Sequence, residues 1–441
     1  MVRTSDPSER LDRDALLTAY EDYCVPSERF LVGGEFERHL LRPDGLPVPY
    51  FGDHGVRWLL EQLIARGWEP EYEGDNPIAL HRDRAWITLE PGGQFELSGA
   101  PFPKIAPLVA QARDFVQEVC AAIGDAPINP VALGFTPYAP VEEIPWVPKG
   151  RYAVMKDYLA RTGELAHHMM KGTAAVQASF DFSSEADCAA KVRLSVLLGP
   201  LTTAMFANSA LVAGKPSGFA SWRGHVWTRT DPDRTGFPPA ALDFSFARWV
   251  DYLLDVPMMF TKIGGRWHDA GGRTFRSWMD HGIDGCFPTF ADWDLHLTSV
   301  FPEVRIKRQI EVRGADCVPI PLAAAFVALF KGLFYCPIAL REATELAERL
   351  AACGSQAERF DVACRDGLRG EVGGRTLASW AEELLQIGVG GMNRCDPDDL
   401  PWLEPLIEQV QTGQSPSDAI LRAWEEDPDP AAFLEAVAYR T

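Results

Sequence analysis

The sequence has no long apolar run: its longest, Ile320 to Phe330, is far short of a bilayer span. No two of its nine cysteines form a Cys-x-x-Cys pair, and no Cys/His set has zinc-finger spacing. The odd, scattered set reads as reduced thiols rather than a disulfide framework. Met1 to Arg13 mixes acids and bases without an apolar core, so no signal peptide is expected. There is no GxxxxGK[ST] phosphate loop and no GxSxG elbow. Internal repeats, low-complexity tracts and Ser/Gly-rich linkers are missing too. Positive charge is in short supply: 42 Lys and Arg stand against 62 Asp and Glu, a formal net charge of −20. Such a surface repels phosphate backbones, which argues against nucleic-acid binding. A local basic pocket for a nucleotide is still allowed. The expectation is a cytoplasmic chain with no membrane partner.

What is present is ordinary globular composition over 441 residues, 46% hydrophobic and 24% charged. Residues 1–441 read as one α+β domain, with a sheet-rich core at about 28–318 and a mainly helical part at about 319–441. Asp53 is expected to cap a helix over Val56–Arg66 that Gly67 stops. Apolar spacing predicts another from Ile105 to Ile123, ending at Gly124. Ser183-Ser184-Glu185 caps a third, running to about Leu198. Gly388-Val389-Gly390-Gly391 reads as a helix–turn–helix junction rather than a dinucleotide loop, and His167-His168 as an ordinary surface or loop pair.

The strands carry more information. A period of two puts Glu35, Glu37 and His39 on one face of their segment. Across Val304 to Arg313, read as one strand, Arg305, Lys307, Gln309, Glu311 and Arg313 share a face. Across Ala175 to Phe182 the polar face is Gln177, Ser179 and Asp181. Arg223, His225 and Trp227 share a face in a fourth candidate strand. Trp86 to Ser98 reads as a hairpin turning at Pro91-Gly92-Gly93; a three-residue loop pairs Glu90 with Gln94 and Thr88 with Glu96. A solvent-facing sheet alternates in the same way. The recurrence of both charge signs favours a sheet curved around a charged cavity.

Clustered carboxylates repel one another unless cations neutralise them, and oxygen ligands select magnesium or manganese. Glu35, Glu37, Glu90, Glu96 and Glu311 offer more ligands than one ion needs, so two or more ions are expected. Arginines and lysines beside such ions suit phosphates, and the combination suits phosphoryl transfer.

The run Leu89-Glu90-Pro91-Gly92-Gly93-Gln94-Phe95-Glu96-Leu97-Ser98-Gly99-Ala100-Pro101 resembles the signature of plant-type glutamate–cysteine ligases, a family also found in bacteria. Pro148-Lys149-Gly150-Arg151-Tyr152, Asp181-Phe182-Ser183-Ser184-Glu185, Asp231-Pro232-Asp233-Arg234-Thr235-Gly236, Tyr252 to Pro257, Phe301-Pro302-Glu303-Val304-Arg305 and Glu311-Val312-Arg313-Gly314-Ala315-Asp316 resemble further motifs, in the family's order. The resemblance covers roughly residues 30 to 340. It implies a glutamine-synthetase-like fold: a curved, mainly antiparallel sheet forming a funnel surrounded by helices. It also implies ATP-dependent ligation of the γ-carboxylate of L-glutamate to the amine of L-cysteine through γ-glutamyl phosphate, the first step of glutathione synthesis.

On that resemblance the five glutamates hold Mg2+ (or Mn2+), and Arg313 beside Glu311 meets the transferring phosphoryl group. Arg223 is expected at the α-carboxylate of glutamate, with Arg151 binding a carboxylate or phosphate. Arg305, Lys307 and Arg234 are expected at the nucleotide, and Tyr152 and Met170, with Met169 and Trp146, at the acceptor. The chain departs from the family at Trp222-Arg223-Gly224-His225-Val226-Trp227, which usually reads Met-Arg-Ser-His-Ile-Trp. It departs again at Gln177-Ala178-Ser179, usually Gln-Val-Asn, and at Arg308 to Arg313, usually Arg-Tyr-Met-Glu-Met-Arg. The alternatives are the same chemistry on another amine, or an inactive nucleotide-binding homologue. A monomer or a homodimer is expected.

Overall fold

In the computed structural model, which describes residues 10–438, the alternating segments join into one open nine-stranded sheet. The stretch 1–9, where no apolar leader was expected, lies outside the described residues. The strands are β1 (Val32–Leu41), β2 (Glu69–Glu73), β3 (Asn76–Arg82), β4 (Ala85–Leu89), β5 (Phe95–Ser98), β6 (Asn129–Val131), β7 (Ala175–Phe180), β8 (Val304–Ile306) and β9 (Ile310–Asp316). Their order is β8–β9–β7–β1–β5–β4–β3–β2, with β6 paired to the end of β1. Every pairing in this sheet is antiparallel.

The main helices are α1 (Val56–Ile64), α2 (Ile105–Ile123), α3 (Gly150–Leu159), α4 (Ala166–Gly172), α5 (Glu185–Met205), α6 (Trp222–Trp227), α7 (Ile320–Phe334) and α8 (Leu377–Cys395). Helices α2 and α7 cover the apolar face of the sheet. There Phe95 stacks on Phe115 at 6.1 Å, and Phe180 meets Phe334 edge-on at 5.1 Å. This leaves the other, ionisable face to line a cavity. One buried apolar cluster runs from Val32 to Val410, so the C-terminal helices share their core with the sheet.

The hairpin between β4 and β5 turns as expected. Glu90 N–H donates to the Gln94 carbonyl at 3.0 Å, and Thr88 stands opposite Glu96. Gly93 supplies φ +86°, and a Cβ on Gly92 would collide with the Lys171 backbone.

Other expectations need correction. Asp53 does not cap α1. The carbonyls of Pro49 and Tyr50 take the N–H groups of Val56 and Arg57, so no side chain is needed, and the helix ends at Ile64 rather than Arg66. Helix α5 is capped by Ser184 but continues past Leu198 to Met205, through Pro200. Pro200 deprives the Val196 carbonyl of its helical donor; Gln356 Nε2 takes it at 2.7 Å.

Val304 to Arg313 is not one strand but the β8–β9 hairpin, reversing at residues 307–309. Arg305 stands opposite Glu311, so the shared face survives the turn. Trp222 to Trp227 is a short helix, not a strand, capped by Ser221 on Gly224 N–H. Helical spacing turns Arg223 inward over Trp227 and His225 away, stacked on Phe219. Gly388 to Gly391 lies inside α8 and is neither a loop nor a junction. Any Cβ on Gly391 would strike the Gly332 carbonyl, so these glycines let α7 and α8 cross closely. His167 and His168 lie on α4, where His167 bonds to the Lys156 carbonyl and His168 stacks on Phe135. Among the described residues no single helix is long and apolar enough to cross a membrane.

Candidate active site

The ionisable face of the sheet floors a cavity of about 700 Å³. Its walls are the start of α3, the methionines of α4, and a hairpin of Phe260–Ile263 with Arg266–Asp269. Across the floor, strand by strand, the charge changes sign.

Strands β8 and β9 form a cationic end around one carboxylate. Arg305 Nε donates to Glu311 Oε2 at 2.6 Å, Lys307 Nζ lies 2.8 Å from Oε1, and Arg313 Nη1 lies 3.7 Å from Oε2. Burial alone would raise the Glu311 pKa. The three cations outweigh it and hold the carboxyl at about 2. Arg313 also donates to the Gln177 side-chain carbonyl on β7. Burial, with Arg305 nearby, lowers the Arg313 pKa to about 10, so it stays charged at neutral pH.

Strands β1 and β5, with the start of the β4–β5 turn, form the acidic end. Glu37 and Glu96 are direct cross-strand partners, and Glu35 and Glu90 line the same cavity. Glu37 Oε2 accepts the Ala175 N–H at 2.7 Å, and Ser98 Oγ donates to Glu96 at 2.6 Å. Among the described residues none of the four has an ion-pair partner. Burial, then the charges of Glu96 and Glu311, lift Glu35 to about 7. Burial, then Glu90, raises both Glu37 and Glu96.

This acidic set has the chemistry of a magnesium site, since its carboxylate oxygens are hard ligands and a divalent cation would offset the cost of burying them side by side. Among the described residues, however, no three such side chains stand close enough to hold an ion alone. That suits Mg2+, which commonly takes one or two carboxylates and fills its octahedron with phosphate oxygens and water. Glu311, expected with the other four, already has both oxygens engaged by Arg305 and Lys307.

The α3 wall brings Lys149, Arg151 and Tyr152 to the cavity beside Met169 and Met170. Tyr152 Oη and Lys149 Nζ both donate to the Leu89 carbonyl, at 2.6 and 2.9 Å. Burial and neighbouring Arg151 lower the Lys149 pKa to about 8. The sequence reading passed over Lys149, although it stands within the Pro148–Tyr152 motif. It also passed over Glu73 and Trp267 on the rim, which no local pattern marks.

Four expected site residues are not on the cavity wall: Glu311, covered by Arg305 and Lys307, and Arg234, Arg223 and Trp146. Arg234 is wholly buried: its Nε donates to Asp231 at 2.6 Å, and its other nitrogens serve Ser299 O, Tyr158 Oη and Pro257 O. No donor fork is left for a nucleotide. Arg223 lies beneath the floor, where Nη2 donates to the Arg313 carbonyl at 2.9 Å and Nη1 lies 3.8 Å from Asp316. It is placed to support Arg313. Trp146 packs instead beneath the Lys156 and Lys171 ammonium groups.

Comparison with known proteins adds a second line of observation. Residues 31–433 match the family described as glutamate–cysteine ligase family 2 (GCS2). The chain is 37% identical to the chloroplastic glutamate–cysteine ligase of Brassica juncea, over 96% of this chain and 84% of that relative. It is 36% identical to the Arabidopsis thaliana enzyme, over 96% and 82% respectively. Among solved structures, glutamate–cysteine ligase from Francisella tularensis in complex with AMP superposes with a TM-score of 0.56. That match is 13% identical and covers 92% of this chain and 87% of the other, so it speaks to the fold alone.

Proposed function

The chain belongs to the glutamate–cysteine ligase family, and from that premise we propose that it uses ATP to join the γ-carboxylate of L-glutamate to the amine of L-cysteine through γ-glutamyl phosphate. The observation that carries the reading is the change of charge across the cavity floor: Arg305, Lys307 and Arg313 at one end, Glu35, Glu37, Glu90 and Glu96 at the other. A triphosphate carries negative charge for the first set, and its bound Mg2+ carries positive charge for the second.

A carboxylate resists attack by an amine because oxide is a poor leaving group; phosphorylation supplies a good one. In the first step a glutamate γ-oxygen attacks the terminal phosphorus of ATP, and ADP leaves. In the second the amine attacks the acyl carbon, phosphate departs with the transferred glutamate oxygen, and the amine loses a proton. Two or more Mg2+ ions, held by Glu35, Glu37, Glu90 and Glu96, would neutralise the reacting anions, while Glu311 holds Arg305, Lys307 and Arg313 in place. Arg313, backed by Arg223, meets the transferring phosphoryl group, while Arg305 and Lys307 bind the phosphate chain. Arg151 is the cavity-lining choice for the α-carboxylate of glutamate. Met169, Met170 and Tyr152 form the apolar side of the acceptor pocket. A reducing compartment, the cytoplasm, suits nine free thiols.

Glutamate labelled with 18O in its γ-carboxylate tests the intermediate. The reading expects one labelled oxygen in each phosphate released. Label retained wholly in the product and its glutamate would contradict it.

A further inference from the structure

Glu73 ends β2, at the opposite edge of the sheet from Arg305, and both its carboxylate oxygens leave the strand. Oε2 accepts the Gly150 N–H at 2.6 Å, and Oε1 accepts the Trp267 indole N–H at 2.8 Å. One half-buried carboxylate thereby joins three pieces of the cavity rim: β2, the first residue of α3, and the Arg266–Asp269 strand.

The junction is built closely. Lys149 stands at the N-cap of α3, but no side chain caps the helix there in the usual way. Glu73 supplies the missing acceptor from a distant strand, with a negative charge at the positive end of the helix. Gly150 carries no side chain, and a Cβ there would collide with the Trp267 ring, so the indole sits directly on the backbone. From the other side, Lys149 and Tyr152 are pinned to the Leu89 carbonyl.

The residues flanking Gly150 are the two cations of this wall. Among the described residues neither Lys149 nor Arg151 has an ion-pair partner, and Arg151 Nε is buried with no hydrogen-bond partner. Both residues line the cavity beside β4, whereas the phosphates of the proposed function lie at the β8–β9 hairpin.

We propose that Glu73 is a positioning residue for amino-acid binding: through Gly150 and Trp267 it sets the direction in which Lys149 and Arg151 enter the cavity to meet the α-carboxylate of glutamate. This rests on the ligase reading above. Glu73→Gln leaves an acceptor for one of the two donors, and Trp267→Phe removes one donor while keeping a ring on Gly150. A cap that merely stabilised α3 would shift melting temperature and leave substrate binding alone.

Steady-state kinetics of both variants and their combination separate the two. The glutamate KM should rise about fivefold or more in Glu73→Gln and about two- to threefold in Trp267→Phe. The ATP KM and kcat should stay within about twofold, and the double variant should be no worse than Glu73→Gln alone. Should Glu73→Gln fail to fold, Trp267→Phe decides on the same criterion. A wild-type glutamate KM in the folded variants, or an equal rise in the ATP KM, overturns the proposal. Wild-type protein that releases no glutamate-dependent phosphate contradicts the ligase reading instead, and glutamate binding by calorimetry on the same variants then tests Glu73 by itself.

Discussion

Arg305 and Glu311 stand directly opposite each other across the β8–β9 hairpin, and the guanidinium Nε donates to the carboxylate at 2.6 Å. Lys307 and Arg313 complete a triad of cations around the same group. Glu311 therefore fixes the spacing of the positive charges that the proposed function assigns to the phosphates. Glu311→Gln keeps an acceptor but removes the charge that balances three cations. It should stay folded by circular dichroism and lose about 100-fold or more in ATP- and glutamate-dependent phosphate release. Turnover equal to wild type would remove Glu311 from the reaction.

The acidic end makes stability depend on both pH and metal. Glu35 rises from its ordinary 4.5 to about 7 on folding, with Glu37 and Glu96 raised as well. A raised carboxyl takes up protons on folding. Its stabilising contribution is complete below about 4.5 and is lost as pH climbs through about 7. Glu311 runs the other way: held at about 2, it contributes above 4.5 and loses that contribution as pH falls toward 2. Metal-free protein should thus melt at a lower temperature at pH 8 than at pH 6, and Mg2+ should raise the melting temperature more at pH 8. An equal Mg2+ effect at both values would count against these glutamates as its ligands.

Arg234 serves the fold rather than the nucleotide. Removing the guanidinium leaves Asp231 buried and uncompensated, so Arg234→Met should cost about 3–5 kcal/mol in urea unfolding. The folded fraction should keep its ATP KM. A raised ATP KM with unchanged stability would return Arg234 to the nucleotide site.

Much of the site was legible because strand parity is a local property. Glu35 and Glu37 had to share a face, and at Pro91-Gly92-Gly93 only the three-residue loop, not a two-residue one, kept the apolar and polar faces apart and put Glu90 and Glu96 on one side. The β8–β9 reversal was not legible, because residues 307–309 contain no glycine, proline or asparagine to announce it. Its face assignment held because a three-residue reversal about Arg308 keeps odd positions opposite odd positions. The Trp222–Trp227 helix was misread because Arg223, His225 and Trp227 mimic alternation; Ser221, a sound cap, was the contrary signal. The burial of Arg234 and the Glu73–Trp267 junction depend on segments tens to hundreds of residues apart. No short pattern encodes such contacts.

The amine acceptor and the ligation itself meet in one assay. Purified protein is incubated with ATP, Mg2+ and glutamate, with cysteine or with each other amino acid, while phosphate and γ-glutamyl product are both followed. The account predicts γ-glutamylcysteine formed in step with phosphate, and only when glutamate, cysteine, ATP and Mg2+ are all present. Rapid phosphate release with other amines but little with cysteine, or none with any of them, would contradict it.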